Sequence, residues 1–362
     1  MRLIDEQSIE NIALGAALLG TGGGGDPYVG KLMALEAIRQ YGPVQMLDPS
    51  EVPDDAFIVP TAMMGAPTVL IEKIANGREF DTIITNLEKY TGQKVFATLP
   101  IEAGGVNSML PFAVAAKLGL PIIDCDGMGR AFPELQMVTF SLDGITTNPL
   151  VATDEKGNSM VMETINNNWA ETLARTATIT MGGSIMISIY AMFGHQLKKS
   201  AIYNTLTLAE NIGKAINDKE QTDVLPIDRM LNLVGGYKLF TGKIIDILRE
   251  TREGFNFGKA KLVGINDDKG EACEVDFQNE NLVVMKGDQV LATTPDLITI
   301  VDLETAVPIT TEALKYGRRV VVVGLPCDEK WRTPKGIEVV GPRYFKYDID
   351  YVPIEERVKG VQ

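Results

Sequence analysis

Apolar residues recur at helical spacing from Asp5 to Leu19, with Ile9, Ile12, Ala13, Ala16, Ala17 and Leu19 broadly on one side. That period predicts an amphipathic helix packed on one face. A second helix is expected from Pro27 to Tyr41. Short apolar runs then alternate with helical stretches: Val44–Leu47 and Ala56–Val59 as strands, Asp81–Thr91 as a helix, Lys94–Thr98 as a strand, and a helix begun by Glu102. Leu120–Ile123 follows as a buried strand, and Glu72 falls on a helix after the loop Pro60–Pro67. Alternation of this kind argues for a parallel sheet layered by helices. Met137–Leu142 and Leu150–Ala152 read as further strands, with Asp143-Gly144 and Asn158 in turns.

The pattern changes near residue 160. Met160–Thr176 reads as one helix, Ile179–Phe193 as a dense buried segment, and Leu206–Asp218 as an amphipathic helix. Beyond Pro226 the periodicity is that of short strands: Lys243–Leu248, Lys259–Val263, Ala272–Phe277, Leu282–Met285, Gln289–Thr293, Leu297–Val301 and Arg319–Val323. The expected architecture is α/β, with a layered N-terminal domain over residues 1–160. A C-terminal domain over 161–362 would be helical at its start and then β-rich, as a sandwich or barrel-like unit.

Composition narrows the function classes. With 362 residues, 45% hydrophobic and 23% charged, the chain is long enough for two cores of a soluble globular type. No run approaches the ~18 apolar residues of a membrane span, and the opening residues lack a signal-peptide h-region. The net charge of −14 argues against a nucleic-acid partner, which needs clustered Lys and Arg. Cys125, Cys273 and Cys327 are widely spaced and form no CxxC, so neither a disulfide framework nor a thiolate zinc site is suggested. A cytoplasmic enzyme is the expectation.

Candidate chemistry gathers between Pro100 and Glu134. Asp124 and Asp126 stand at the end of the strand Leu120–Ile123, where positions i and i+2 share a face if the strand continues. The carboxyl edge of an α/β sheet is where ligands bind. Asp-x-Asp-Gly is also ordinary turn chemistry; the neighbouring Glu102, Asn107, Arg130 and Glu134 favour a site. Five glycines in the six positions Gly20–Gly25 offer either a hinge or, through Gly22, Gly23 and Gly24, backbone N–H groups for a ligand. His195 is the sole histidine, able to change charge near neutral pH. Beside Asp124, Asp126 or Glu102 it would serve as a base or as part of an oxygen–nitrogen metal ligand set. Lys198, three residues on, could share its helical face, although solvated surface is the plainer reading for it.

Together the segments GTGGGGDPYVG, EAGGVNSMLPFAVAAKLGLPIIDCDGMGRAFPE, GHQLKKSAIYNTLTLAENIG, FQNENLVV, TPDLITIVD and VGPRYFKYDIDYVP resemble the DUF917 family, from about Leu14 to Pro353. That family is linked to S-methyl thiohydantoin desulfurase and found alongside hydantoinase and oxoprolinase proteins. The resemblance implies two domains and a hydrolase that desulfurates a small heterocycle and releases a thiol. Glu253 and Lys346 stand where the family tends to have glycine. On this reading Asp124, Asp126, Glu102 and His195 act as base or metal ligands. Asn107, Arg130, Glu134 and the Gly22–Gly25 loop would hold the ring. A divalent metal, with Asp124, Asp126 and His195 as candidate ligands, and a homo-oligomer are both left open. Ring-opening hydrolysis of a hydantoin or lactam and a non-catalytic partner subunit are the alternatives.

Overall fold

The computed structural model describes residues 1–65, 69, 73, 77–218, 223–252 and 254–359. Glu72, Glu253 and the Ala66-Pro67 end of the second loop lie outside the described residues. In chain order the first half gives β1 (Arg2–Ile4), α1 (Glu6–Leu19), α2 (Pro27–Tyr41), β2 (Val44–Leu47), β3 (Phe57–Gly65), α3 (Arg78–Thr91), β4 (Ala97–Pro100), α4 (Gly105–Leu118), β5 (Ile122–Ile123) and β6 (Cys125–Asp126). Next come α5 (Thr139–Leu142), β7 (Leu150–Thr153), β8 (Ser159–Met162), α6 (Asn167–Thr180), β9 (Ser184–Ser188), β10 (Met192–Phe193), α7 (Gly194–Ser200), β11 (Ile202–Tyr203), α8 (Thr205–Asn217) and α9 (Pro226–Val234). The rest is β12 (Tyr237–Arg252), β13 (Phe255–Gly264), β14 (Ala272–Gln278), β15 (Glu280–Lys286), β16 (Gln289–Thr293), β17 (Leu297–Asp302), β18 (Pro308–Ile309), β19 (Arg319–Leu325), α10 (Pro334–Val340) and α11 (Ile354–Lys359).

The first sheet has the order β1-β2-β5-β4-β3-β9-β7-β8, with β10 also pairing β3. Its central strands β2, β5, β4 and β3 are parallel. Phe57 to Met64 of β3 are all buried, the continuous burial of a strand covered on both faces. Helix α1 packs along α8 and α2 along α4. Strand β9, from beyond residue 160, returns between β3 and β7. The second sheet has the order β16-β15-β14-β13-β12-β19-β17-β18. The expected sandwich or barrel-like unit is thus one eight-stranded sheet, antiparallel at every pairing and curled enough to bring β17 against β15 and β16.

Three expected elements differ. Met137–Leu142 is not a strand: its end is the short helix α5, anchored by Thr139, whose N–H and hydroxyl both donate to the Gly127 carbonyl at 2.7 and 3.1 Å. Met160–Thr176 is not one helix, because Asn166 caps α6 by accepting from the Trp169 N–H, and Ser159–Met162 pairs as β8 with β7. Asparagine favours such a cap over a helix interior. Glu102 does not start its helix but sits in the connection before α4.

The glycine-rich loop joins the halves. The Asn281 N–H donates to the Thr21 carbonyl at 2.7 Å and the Thr311 N–H to the Gly22 carbonyl at 2.8 Å. The three cysteines are free and buried. Among the described residues no helix is long and apolar enough to cross a membrane.

Candidate active site

Parallel strands β3 and β4 end side by side, and their carboxyl ends form one wall of a cleft. The connection after β4 carries Glu102 there, just before the N-terminus of α4, the sheet edge where ligands bind in α/β folds. Asn107, in the first turn of α4, fixes that carboxylate. Its Nδ2 donates to Glu102 Oε1 at 2.7 Å and to the Met63 carbonyl at 3.3 Å, while its Oδ1 accepts from the Met63 N–H at 2.8 Å. Asn107 therefore extends the edge of β3 as a further strand residue would. Both of its donors and its carbonyl are occupied, so it orients Glu102 and does not clamp a ring as expected.

The opposite wall comes from the second sheet. Asn279 adopts φ 57° and turns β14 sharply into β15, so Glu280 faces back across the glycine loop. Glu312, in the turn after β18, borders the same space. Gly23 and Gly24 also line it. Gly22, expected to hold a ligand with them, is not among the described lining residues; its carbonyl instead accepts from the Thr311 N–H. The cavity measures about 80 Å³, several times the ~10–15 Å³ that one water requires, with room for a compact polar ring.

Burial dominates the electrostatics. Glu102 is pushed up to about 7 by burial, against the Asn107 hydrogen bond, a backbone hydrogen bond from Phe132 and the nearby Arg130 charge. Glu280 lies well above the usual carboxylate range, first through burial and then through Glu102, with Arg130 opposing. Burial also raises Glu312. Among the described residues, Oε2 of Glu280 and Oε2 of Glu312 have no hydrogen-bond partner. A buried acceptor without a partner is expensive, and here two such oxygens belong to residues lining one cleft.

Arg130 supplies the balancing charge without touching the cleft. Its Nε donates to the Ala131 carbonyl, its Nη1 to the Pro295 and Asp296 carbonyls at 2.9 and 2.8 Å, and its Nη2 to Thr21 Oγ1 at 2.9 Å and the Asn281 carbonyl at 3.4 Å. All five guanidinium donors are spent, so in place of the expected hold on a substrate ring Arg130 is a buried cation bolting the two halves together. Its guanidinium stacks 4.5 Å over the Phe132 ring, and burial pulls it down to about 10.

The paired aspartates diverge because β5 stops at Ile123. The Asp124 side chain accepts from the Leu206 and Thr207 N–H groups at 3.0 Å each and from the Thr207 hydroxyl. It caps α8, where the helix dipole favours a negative charge. Asp126 enters a separate two-stranded sheet with β11 and accepts from the Met128 and Gly129 N–H groups. It is fully buried behind Glu102 and raised to about 8, chiefly by burial.

His195 is not with the acids. It is exposed on α7, its Nδ1 3.1 Å from the Asp54 carbonyl oxygen and its ring stacked 6.2 Å from Phe193. Lys198 pairs with Asp54 at 2.7 Å. Gly194 is the first residue of α7, directly after β10. Glu134 also points elsewhere, bound by the Tyr344 hydroxyl at 2.9 Å and the Gln136 amide. Among the described residues no group of three or more His, Cys, Asp or Glu side chains is arranged to hold a metal, so Asp124, Asp126 and His195 do not assemble as ligands. Sequence reasoning missed Glu280, Glu312 and Arg175 as lining residues; the FQNENLVV segment was the available signal for the first.

Sequence comparison places this geometry in a known group. The S-Me-THD-like N-terminal domain matches residues 7–164, and the S-Me-THD-like C-terminal domain matches residues 165–354. The chain belongs to the S-Me-THD-like family. An X-ray crystal structure of a protein from Chromobacterium violaceum is similar in fold, with a TM-score of 0.82 at 22% identity over 98% of this chain and 100% of that one. No curated protein matches the chain. The two S-Me-THD-like domain matches meet at residues 164 and 165, next to the Asn166 cap of α6, while the cleft takes Glu102 from the first match and Glu280 from the second.

Proposed function

We propose that the chain is a hydrolase for a small hydantoin-type heterocycle, acting by desulfuration of an S-methyl thiohydantoin. The observation that carries the reading is the pair Glu102 and Glu280: two buried carboxyl groups in one cleft, both raised above the ordinary range by burial, of which only Glu102 is held by Asn107. The Asn107 amide donates to Glu102 and so favours its ionised form, whereas Oε2 of Glu280 has no partner among the described residues; that difference in surroundings makes Glu102 the base and Glu280 the acid.

Glu102, near 7, is poised to accept a proton at physiological pH. Its carboxylate, held by Asn107, takes a proton from water as the oxygen attacks the ring carbon bearing sulfur. Glu280, carrying its proton, gives it to the departing sulfur as the carbon–sulfur bond breaks. The attack leaves a negative charge on the ring nitrogen. As the intermediate expels the thiol, the proton of the new hydroxyl passes to that nitrogen and the oxygen becomes a ring carbonyl, so the products are the hydantoin and methanethiol. Proton exchange with solvent returns Glu102 and Glu280 to their starting forms. Excluding bulk water strengthens each of these charge interactions.

The test is release of free thiol from an S-methyl thiohydantoin by the purified chain. Glu102→Gln should lower turnover by about a hundredfold or more, the scale of a lost general base, with the fold retained. Thiol release unchanged by that substitution would sink the assignment. Opening of plain hydantoin without activity on the thio-compound would favour the amidohydrolase alternative.

A further inference from the structure

A second cavity lies beyond the wall formed by Pro133–Glu134 and Gln278–Glu280. Pro133 and Glu280 face the first cleft; Glu134 and Gln278 face this one. Its volume is about 570 Å³, within the ~300–1,000 Å³ of ordinary small-molecule pockets.

Rings make up most of its walls. Phe255 and Phe257 come from β13, Phe277 from β14, and Phe345 and Tyr347 from the turn after α10. Phe277 is buried and the other four are half-buried. The Arg175 and Arg252 guanidinium groups already lie 4.2 and 4.1 Å over the Phe255 and Phe257 rings, so Phe345 and Tyr347 carry the aromatic surface open to a stacking partner.

Two cations, Arg252 and Lys346, also line it, and both are exposed. Arg252 lies 4.1 Å over the Phe257 ring. On the same turn as Lys346, Arg343 is neutralised by Asp348 and Asp350 at 2.8 and 2.7 Å. Neither Arg252 nor Lys346 has an ion-pair partner among the described residues. Lys346 is held at φ 68°, a left-handed conformation that a side chain disfavours. Among the described residues Glu134 is the one acid lining the cavity, and it already accepts from Tyr344 and Gln136. In a chain of net charge −14, Arg252 and Lys346 set two positive charges against the one described lining carboxylate, Glu134.

We propose that this cavity is a second binding site, for a planar aromatic anion whose ring packs against Phe345 and Tyr347 and whose charge meets Lys346 and Arg252, the latter presented by its seat on the Phe257 ring. The inference does not depend on the chemistry of the first cleft.

Calorimetric titration of the full chain with 2-naphthoate tests it. Saturable one-to-one binding is expected, weakened at high salt, with the neutral 2-naphthamide bound about tenfold less tightly. The double variant Arg252→Gln/Lys346→Gln alters exposed side chains and should fold; it should weaken naphthoate by about tenfold or more, the scale of a lost charge-assisted hydrogen bond. Glu280→Gln, in the first cleft, should leave that affinity unchanged. Absence of saturation at millimolar naphthoate would overturn the proposal, as would equal affinity for the amide or no response in the double variant. A dimer in light scattering that the double variant dissociates would assign this face to a second copy instead, and would overturn it equally.

Discussion

The Glu280 carboxyl fills the space that a side chain on Gly23 would need: a Cβ at Gly23 would lie 2.0 Å from Glu280 Oε1 and 2.6 Å from its Cγ. The glycine loop and the β15 carboxyl are thus fitted to one another across the two halves of the chain. Gly23→Ala should move Glu280 out of position, since the added Cβ would overlap its Cγ and Cδ as well as its carboxylate oxygen and push the side chain into the cleft. The expected stability loss is about 1–3 kcal/mol, as for other overpacking changes, with a fall in turnover larger than thermal unfolding alone explains. A variant with full activity would show that the contact has no bearing on the chemistry.

Asn107 acts on the pH profile. Its hydrogen bond to Glu102 favours the ionised carboxylate, against the burial that raises it. Asn107→Ala removes that support, so Glu102 should hold its proton to higher pH. The rising limb of kcat/KM, expected near pH 7 in the parent, should therefore move upward in the variant. A limb that stays in place would separate Glu102 from the observed titration.

Arg130 tests the joint between the halves. Replacing it with Met leaves four backbone carbonyls and the Thr21 hydroxyl without their donor, and removes the cation facing Glu102 and Glu280. Breaking a buried charge set of this kind costs about 3–5 kcal/mol. Lys, with three donors on a point charge, should rescue only part of the loss. Denaturant midpoints of the Met and Lys variants against the parent measure it.

How far the sequence reached this site can be read residue by residue. Glu102 and Asn107 were legible because a strand's carboxyl edge is a local feature, visible in the run from Lys94 to Asn107. The α/β layering and the β-rich second half followed from hydrophobic period alone. Asp124 and Asp126 misled because period-2 reasoning holds only while a strand continues, and β5 ends one residue too early. Glu280 and Glu312 were invisible as site residues: their approach to Glu102 depends on the second sheet folding back onto the glycine loop, a long-range relationship that spacing does not encode.

His195 drew notice by its rarity, which is a property of composition and not of position. Exposed and tied to the Asp54 carbonyl, it has no path to the cleft. His195→Ala should keep turnover within about twofold of the parent and change stability by less than about 0.5 kcal/mol, the usual range for a surface substitution. A loss approaching that of Glu102→Gln would require it to reach the substrate, and the assignment of the cleft would then fail.

Stability should fall as pH rises through neutrality. Glu102 is raised from 4.5 to about 7 and Asp126 from 3.8 to about 8, both chiefly by burial. Between those values the folded chain holds protons that the unfolded chain releases, so this contribution is complete below about pH 4 and is lost as pH climbs through about 7 to 8. Each group adds a slope of up to about 1.4 kcal/mol per pH unit within its window. Urea midpoints measured from about pH 5 to about pH 8 should therefore decline, and Glu102→Gln, which cannot titrate, should decline less steeply. Midpoints that stay level across that range would mean that neither carboxyl binds a proton on folding, and the acid–base division of labour in the cleft would lose its physical basis.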